Sequence, residues 1–529
     1  MHPCLEILEL LEQIVSHVED KDSLAKFARV CRSFQEPALD ALYINVECFF
    51  EFFVSLSSDV CYLTDFVTQE SRLSLAHAEL EGFTRRRLVG AVHILTFATF
   101  ISEHVQMFKR DISPSEWSAL ITRAARVKTI RQTIYQRSSS KILSSIDVVD
   151  ALNKCPVPNL FPNLRALYYI LPFGSLNPRL LLGPQLRHLI IAETAVALCA
   201  TLPMLPMWCP LLETLNTASV SSWTPSELVH ASNVVVQWRH LRSLSIGPVN
   251  EPILTHIASL QPFHRLALDA LTDSSPWLRT TQTIHIRNVD RLIISGDTLQ
   301  TCAEALGKLF SPPPGINAGT TRVSELNLRG KSPSFSAIAA AINTYIYPEN
   351  LTRLSIAMIG SEPDSSTGFD IRDFPRFSQL RRFSYLYRPS DQGNHVVTAE
   401  QTLAAISHWP LLEELHIYPT IKPPLSFVDL MTVFWRCPHL RDLGLTVSVC
   451  LEDVVTVLGS PELKARNDHI STMRFETAPG TTLDVKTVVA LLRETIPQLS
   501  TINALDSDAH FWDAVSNGLR RQPQDDVLH

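Results

Sequence analysis

Leu351-Thr352-Arg353-Leu354-Ser355-Ile356 sets apolar residues at the first, fourth and sixth positions of a short phrase, and the chain writes that phrase repeatedly. The same spacing is read at Leu164-Leu167-Tyr169, Leu186-Leu189-Ile191, Leu212-Leu215-Thr217, Leu241-Leu244-Ile246, Phe263-Leu266-Leu268 and Val289-Leu292-Ile294. It returns at Val323-Leu326-Leu328, Leu380-Phe383-Tyr385, Leu412-Leu415-Ile417, Leu440-Leu443-Leu445, Ile470-Met473-Phe475 and Leu499-Ile502-Ala504. Thr217 and Ala504 are the weak anchors. Side chains alternate along a strand, so the second and third anchors share a buried face. Pairs at period two, such as Leu189-Ile191 and Leu354-Ile356, argue for strands over an all-helical array.

The first anchors recur about every 28 residues, the period of leucine-rich repeats. Proline punctuates them in Phe161-Pro162-Asn163-Leu164, Gly183-Pro184-Gln185-Leu186 and Cys437-Pro438-His439-Leu440. Because the residue before a proline avoids the helical region, each marks where a helix ends and an extended segment begins. Between phrases, 398–407 and 425–435 carry helical apolar spacing, and Val127-x-x-Ile130 reads as a degenerate first repeat. The expected fold is α/β: a curved leucine-rich-repeat solenoid with parallel strands inside and helices outside. The asparagine or cysteine ladder that usually follows each strand is not regular here, and Ser311-Pro312-Pro313-Pro314-Gly315 interrupts the array.

The chain has 529 residues, 45% hydrophobic and 19% charged, with a net charge of −7. Nucleic-acid binders usually carry a basic stripe, so nucleic acid is not an expected partner. The ten cysteines never approach Cys-x-x-Cys spacing, which fits a reducing compartment. Glu6, Glu9 and Glu12 stand where a secretory signal needs a basic end and an apolar run. The apolar run at 88–102 falls short of the ~20 residues that span a bilayer. These features point to the cytoplasm and/or nucleus, with no membrane partner.

Leu8, Leu11, Ile14, Val15 and Val18 follow helical spacing. Asp22 offers an N-cap for a second helix with the stripe Leu24, Phe27, Ala28, Cys31 and Phe34. Pro37 then suits the first turn of a third helix bearing Ala38, Ala41 and Leu42. Three helices this short enclose little core, so part of their apolar surface is available to another protein or to the array.

Ile14-Val15-Ser16-His17-Val18, Asp20-Lys21-Asp22-Ser23-Leu24 and Val30-Cys31-Arg32-Ser33-Phe34 resemble the F-box, the adaptor-binding motif of ubiquitin-ligase substrate receptors. Pro37-Ala38-Leu39-Asp40-Ala41-Leu42-Tyr43 resembles the continuation found in the large fungal class of F-box proteins. Ile7 and Leu8 replace the proline that usually opens the box. The resemblance implies a substrate-recognition subunit of an SCF-type (cullin) ubiquitin ligase. Its partners would be the Skp-family adaptor, the cullin ligase core and a target protein. Ile7, Leu8, Ile14, Val15, Leu24, Val30, Cys31 and Phe34 would belong to the adaptor-binding box, some as contacts and some as internal core. The alternative is a repeat scaffold without ligase association. The expected organisation is an F-box-like domain at 1–46, a helical connector and cap at 47–153, the repeat array at 154–506 and a C-terminal cap and tail at 507–529.

No catalytic residue, metal ligand or cofactor is expected. Arg329-Gly330-Lys331-Ser332 ends like a phosphate loop, but Glu325 stands where its first glycine is required. Asn350-Leu351-Thr352 matches a glycosylation acceptor, yet Leu351 is an anchor that should be buried. The informative surface is the outward strand face, where the residue two beyond each first anchor includes Arg265, Arg291, Arg353 and Arg382. These are the candidate target-binding residues, because guanidinium suits carboxylates and phosphates.

Overall fold

The computed structural model describes residues 7–46, 56, 61–66, 103–108, 110–132, 142–144, 146–169, 176–191, 200–217, 223–272, 275–280, 283–311, 321–331, 335–359, 371–374, 376–388, 397–418, 424–460, 462, 464–477, 483–504 and 509–520. The Phe49, Phe50, Phe52 and Phe53 cluster, the segment 70–101, the apolar run at 88–102, the Ser138-Ser139-Ser140 break and residues 312–315 of the proline loop lie outside the described residues. The chain divides into two compact units, 1–241 and 242–529.

The first unit opens with α1 (Leu8–Ser16), α2 (Lys21–Val30) and α3 (Arg32–Ile44). The N-cap of α2 is Asp20, not Asp22: its carboxylate accepts from Ser23 N–H at 2.8 Å and from the Ser23 hydroxyl at 2.7 Å. Those bonds, the hydroxyl foremost, hold the Asp20 carboxyl below its ordinary range. Pro37 does not open α3 either. Cys31, in extended conformation, ends α2, so Phe34 belongs to α3 and Pro37 lies buried inside that helix. A mid-helix proline forfeits one backbone bond, and burial beside Phe34 and Ala38 offsets that loss here.

From α3 the backbone passes directly into β1 (Asn45–Val46). A small sheet follows, in which β2 (Cys61–Phe66) pairs antiparallel with β3 (Glu103–Phe108). The degenerate repeat at Val127 forms β4 (Thr129–Gln132), and β5 (Ile142–Ser144) joins β3 in parallel. Next come β6 (Ala166–Tyr169), β7 (His188–Ile191) and β8 (Thr214–Thr217). They extend a parallel ribbon in the order β1-β4-β6-β7-β8, with Val46, Ile130, Leu167, Leu189 and Leu215 in one register.

The second unit repeats this plan in β9 (Ser243–Ile246), β10 (Arg265–Leu271), β11 (Arg291–Gly296), β12 (Glu325–Gly330), β13 (Arg353–Ile359), β14 (Arg382–Arg388) and β15 (Glu414–Tyr418). It continues through β16 (Leu425–Ser426), β17 (Asp442–Gly444), β18 (Thr446–Val449), β19 (Thr472–Thr477) and β20 (Thr501–Ala504). Leu244, Leu266, Leu292, Leu326, Leu354, Phe383, Leu415 and Leu443 share one register across β9–β15 and β17. All are at most 3% exposed, and burying such a side chain contributes about 1.5–3 kcal/mol. Helices such as Leu299–Phe310, Phe335–Tyr345, Ala399–Ile406 and Phe427–Arg436 stand between successive strands. This is the strand-and-helix repeat expected from the anchors.

Backbone bonding shows that the units are built alike. Arg187 and His188 N–H converge on the Arg165 carbonyl, Thr352 and Arg353 on Ser324, and Glu413 and Glu414 on Arg381. Just before several strands, the first anchor's N–H turns back to the carbonyl three residues earlier, as Leu412 does to Trp409 and Leu440 to Cys437. A side-chain ladder runs at that same position. Trp238 Nε1 donates to Cys209 O at 3.1 Å, and Cys437 Sγ to Trp409 O at 3.6 Å. Buried backbone carbonyls need such partners, so at these two steps a side chain of the next repeat satisfies the turn before it.

One step is irregular. β18 pairs with β19 so that Val447 faces Phe475, whereas the register of the preceding strands would set Leu445 there. The slip is two residues. Because strand side chains have period two, it leaves the buried face buried.

Candidate functional site

In the N-terminal helices, Leu11, Val15, Leu24, Phe34 and Ala38 form a core, with Phe27, Ala28, Cys31, Ala41 and Leu42 packed against it. Val15, Leu24 and Phe34 are therefore internal supports, and Cys31 is half-buried. Ile7, Leu8, Ile14 and Val30 are instead 47%, 53%, 43% and 68% exposed. Leu10, at 37%, joins them and was missed in the sequence. At 3.6 residues per turn Leu10 and Ile14 lie on one stripe of α1, with Ile7 at its N-cap, beside the stripe that carries Leu11 and Val15 into the core. An apolar arc wider than its contact leaves one flank uncovered.

These helices are tied to the ribbon. Arg126, just before β4, makes an ion pair with Glu36 at 2.5 Å and another with Asp40, both on α3. Lys128 N–H donates to Ile44 O at 3.0 Å. The exposed apolar flank is thus carried on helices fixed to the first strands.

On the second unit, Ser243, Arg265, Arg291, Glu325, Arg353, Arg382, Glu414 and Asp442 lie in register as one outward row. The structure thus brings all four candidate arginines together on a single face. Their surroundings differ. Glu325 stands between Arg291 and Arg353, at 3.0 Å from Arg291 Nε and 3.2 Å from an Arg353 Nη. Arg382 reaches Glu414 at 3.0 Å. A neighbouring row adds Arg381–Glu413 and His264–Asp290, each at 2.8 Å. Such half-exposed pairs contribute little each, but they neutralise adjacent strands and fix their side chains.

Arg265 is the exception. Among the described residues it has no ion-pair partner, and its Nε is buried without a hydrogen bond. Burial and then the Arg291 charge lower its pKa, while Glu325 and Asp269 act in the opposite sense.

The other motifs resolve into packing. Gly330 ends β12, and a Cβ there would lie 2.7 Å from Leu299 N, so the glycine lets the helix start approach the strand. Asn350 Nδ2 donates to Thr321 O at 3.0 Å, and Leu351 is fully buried. Burial pushes the thiols of Cys209, Cys302 and Cys437 up to about 12. Among the described residues no cluster of His, Cys, Asp and Glu could hold a metal, and no helix is long and apolar enough to cross a membrane. A cleft of about 470 Å³ beside Trp117 and Ile121 carries the Lys154–Asp111 pair at its rim. Another of about 280 Å³ is lined by Ile257, Phe263 and His285.

No protein-family model matches this chain, and no curated protein matches it. Similar solved structures include the yeast Rad7 and Elc1 complex, at 11% identity over 83% of this chain and 88% of that one, with a TM-score of 0.30. A leucine-rich-repeat protein of Leptospira interrogans is 12% identical over 74% of this chain and 81% of that one, at 0.30. The TLR13–ssRNA13 complex is 14% identical over 73% of this chain and 57% of that one, at 0.32. At such scores these likenesses carry no argument; the repeat assignment stands on the strand register and backbone bonding of the chain itself.

Proposed function

We propose that the chain is a substrate-recognition subunit of an SCF-type cullin ubiquitin ligase. The N-terminal helices dock a Skp-family adaptor, and the outward strand face holds a target protein. The carrying observation is the uncovered flank of α1 with Val30, within the helices whose sequence resembles the F-box. Such a flank is costly to leave in water and fits a partner's groove. Ile7, Leu8, Ile14 and Val30 make the contact; Val15, Leu24, Phe34 and Cys31 shape the helices beneath. Arg265, Arg291, Arg353 and Arg382 face the target. The chain itself performs no bond chemistry in this role and acts by holding two proteins close.

Co-expression with a Skp-type adaptor tests the reading. The full chain should capture the adaptor, and Ile14→Asp with Val30→Asp should abolish capture while circular dichroism stays unchanged, since both positions are exposed. Absence of capture by the unaltered chain would favour a repeat scaffold without ligase association.

A further inference from the structure

We propose that two copies of this chain pair through the C-terminal end of the repeat array, last strand to last strand and last helix to last helix, about a two-fold axis. The surface belongs to the second unit and does not rest on the receptor reading.

The argument begins with an open sheet edge. β20 ends its sheet, whose order is β16-β18-β19-β20, and among the described residues nothing pairs with its far side. Thr501 N–H donates inward, to Ser471 O at 3.1 Å. Peptide groups alternate sides along a strand, so the N–H and C=O of Ile502 both face the open edge. Proteins usually guard such an edge with a charge, a proline or a bulge. Leu499-Ser500-Thr501-Ile502-Asn503-Ala504 has no charge and no proline, and its pairing with β19 runs without a bulge. Ile502 is partly exposed, whereas Met473, beside it on β19, is 1% exposed.

This edge suits its own copy. An antiparallel pair centred on Ile502 sets that residue against itself, each copy exchanging N–H···O bonds with the other. Thr501 then stands opposite Asn503 of the second copy, and no like charges meet across the axis.

The last helix, Ala509–Arg520, supplies the matching charges. One side of it packs on the helix Val485–Thr495: a Cβ on Gly518 would lie 2.8 Å from a Val489 methyl, and Gly518 O accepts from Arg493 at 2.8 Å. Trp512 and Val515 are buried. At 3.6 residues per turn, Asp513 and Arg520 fall on the side turned away from Val485–Thr495, and both are exposed. They stand about 10 Å apart along the axis, too far to neutralise one another. The two-fold that sets β20 antiparallel to its copy also sets these helices antiparallel and side by side. Asp513 of each copy then meets Arg520 of the other, twice by symmetry. A stripe of one sign would repel its copy, whereas this one is complementary to itself.

The test is sedimentation of the full chain over a concentration series. A species of twice the 59.3 kDa chain should accumulate as concentration rises. Asp513→Arg or Arg520→Asp alone brings like charges together at two symmetric places and should weaken association at least about tenfold. The two exchanges combined restore opposite pairing and should recover association, which damage to the fold would not do. Separately, Thr501→Cys with Asn503→Cys should join two copies by disulfides on treatment with diamide, giving a band absent from the unaltered chain. Opposed residues of that kind have Cα atoms about 4.5 Å apart, within disulfide reach. Covering of the edge by the chain's own residues 521–529 would leave a monomer at every concentration. That result, association indifferent to both single exchanges, or a combined variant as weak as the single ones would overturn the interface.

Discussion

Asn467→Ala is the perturbation that probes the repeat stacking most sharply. Asn467 is 1% exposed and sits just ahead of β19, at the slipped step of the second unit. Its Nδ2 donates to Leu440 O at 2.9 Å, and its Oδ1 accepts from His469 N–H at 2.9 Å and Ile470 N–H at 3.0 Å. Alanine strands these three backbone groups. A buried group left without a partner costs about 1–3 kcal/mol, and a water entering the vacated space can recover part of it. The expected net loss is thus about 2–4 kcal/mol, read as a shift in the urea midpoint of the second unit. Because the chain comprises two compact units, hydrogen exchange should accompany the melt, with lost protection centred on 440–475. Asn467→Asp keeps the acceptor but loses the donor, so it should fall between alanine and the unaltered chain. A change under about 0.5 kcal/mol for alanine, with protection intact, would refute the view that this side chain joins the two repeats.

Gly330→Ala should cost about 1–3 kcal/mol in thermal melts, because its Cβ would meet backbone at 2.7 and 2.8 Å; Gly459→Ala, with nothing within 4 Å, should not destabilise. Cys209, Cys302 and Cys437 should resist iodoacetamide at pH 8 in the folded chain and react once it is unfolded, as peptide mass spectrometry would show. These folded thiols keep their protons to about 12 while unfolded ones release them near 8.5, so stability should fall as pH rises above about 8.5. Glu325→Gln removes the acid between two half-exposed arginines and should shift stability by no more than about 1 kcal/mol, measured by urea titration.

The buried rows were legible because period-two pairs such as Leu354-Ile356 bury one face and fix register by themselves. The outward row was legible for the same reason, and the alternation Arg291, Glu325, Arg353 already held its ion pairs, since aligned repeats set these residues on adjacent strands. Pro37 misled because proline usually punctuates a helix, whereas here Cys31 breaks the chain earlier and packing holds the proline within α3. The side-chain ladder stands three residues before the first anchor, on Trp238 and Cys437, where the repeat consensus that places it after the strand gives no signal. The antiparallel pairing of β2 with β3 joins residues at least as far apart as Phe66 and Glu103 and has no local signal. Which apolar residues of α1 stay uncovered was not legible either: Leu10 and Leu11 are adjacent and equally apolar, and only the packing of α2 and α3 separates them.

The proposed docking face is the uncovered flank of the N-terminal helices. Hydrogen–deuterium exchange of the full chain, with and without a purified Skp-type adaptor, measures it directly. The expected result is slowed exchange over residues 7–16 and around Val30, with the strand row of the second unit unchanged. Unaltered exchange across α1–α3 at saturating adaptor, or protection confined to the repeats, would contradict it.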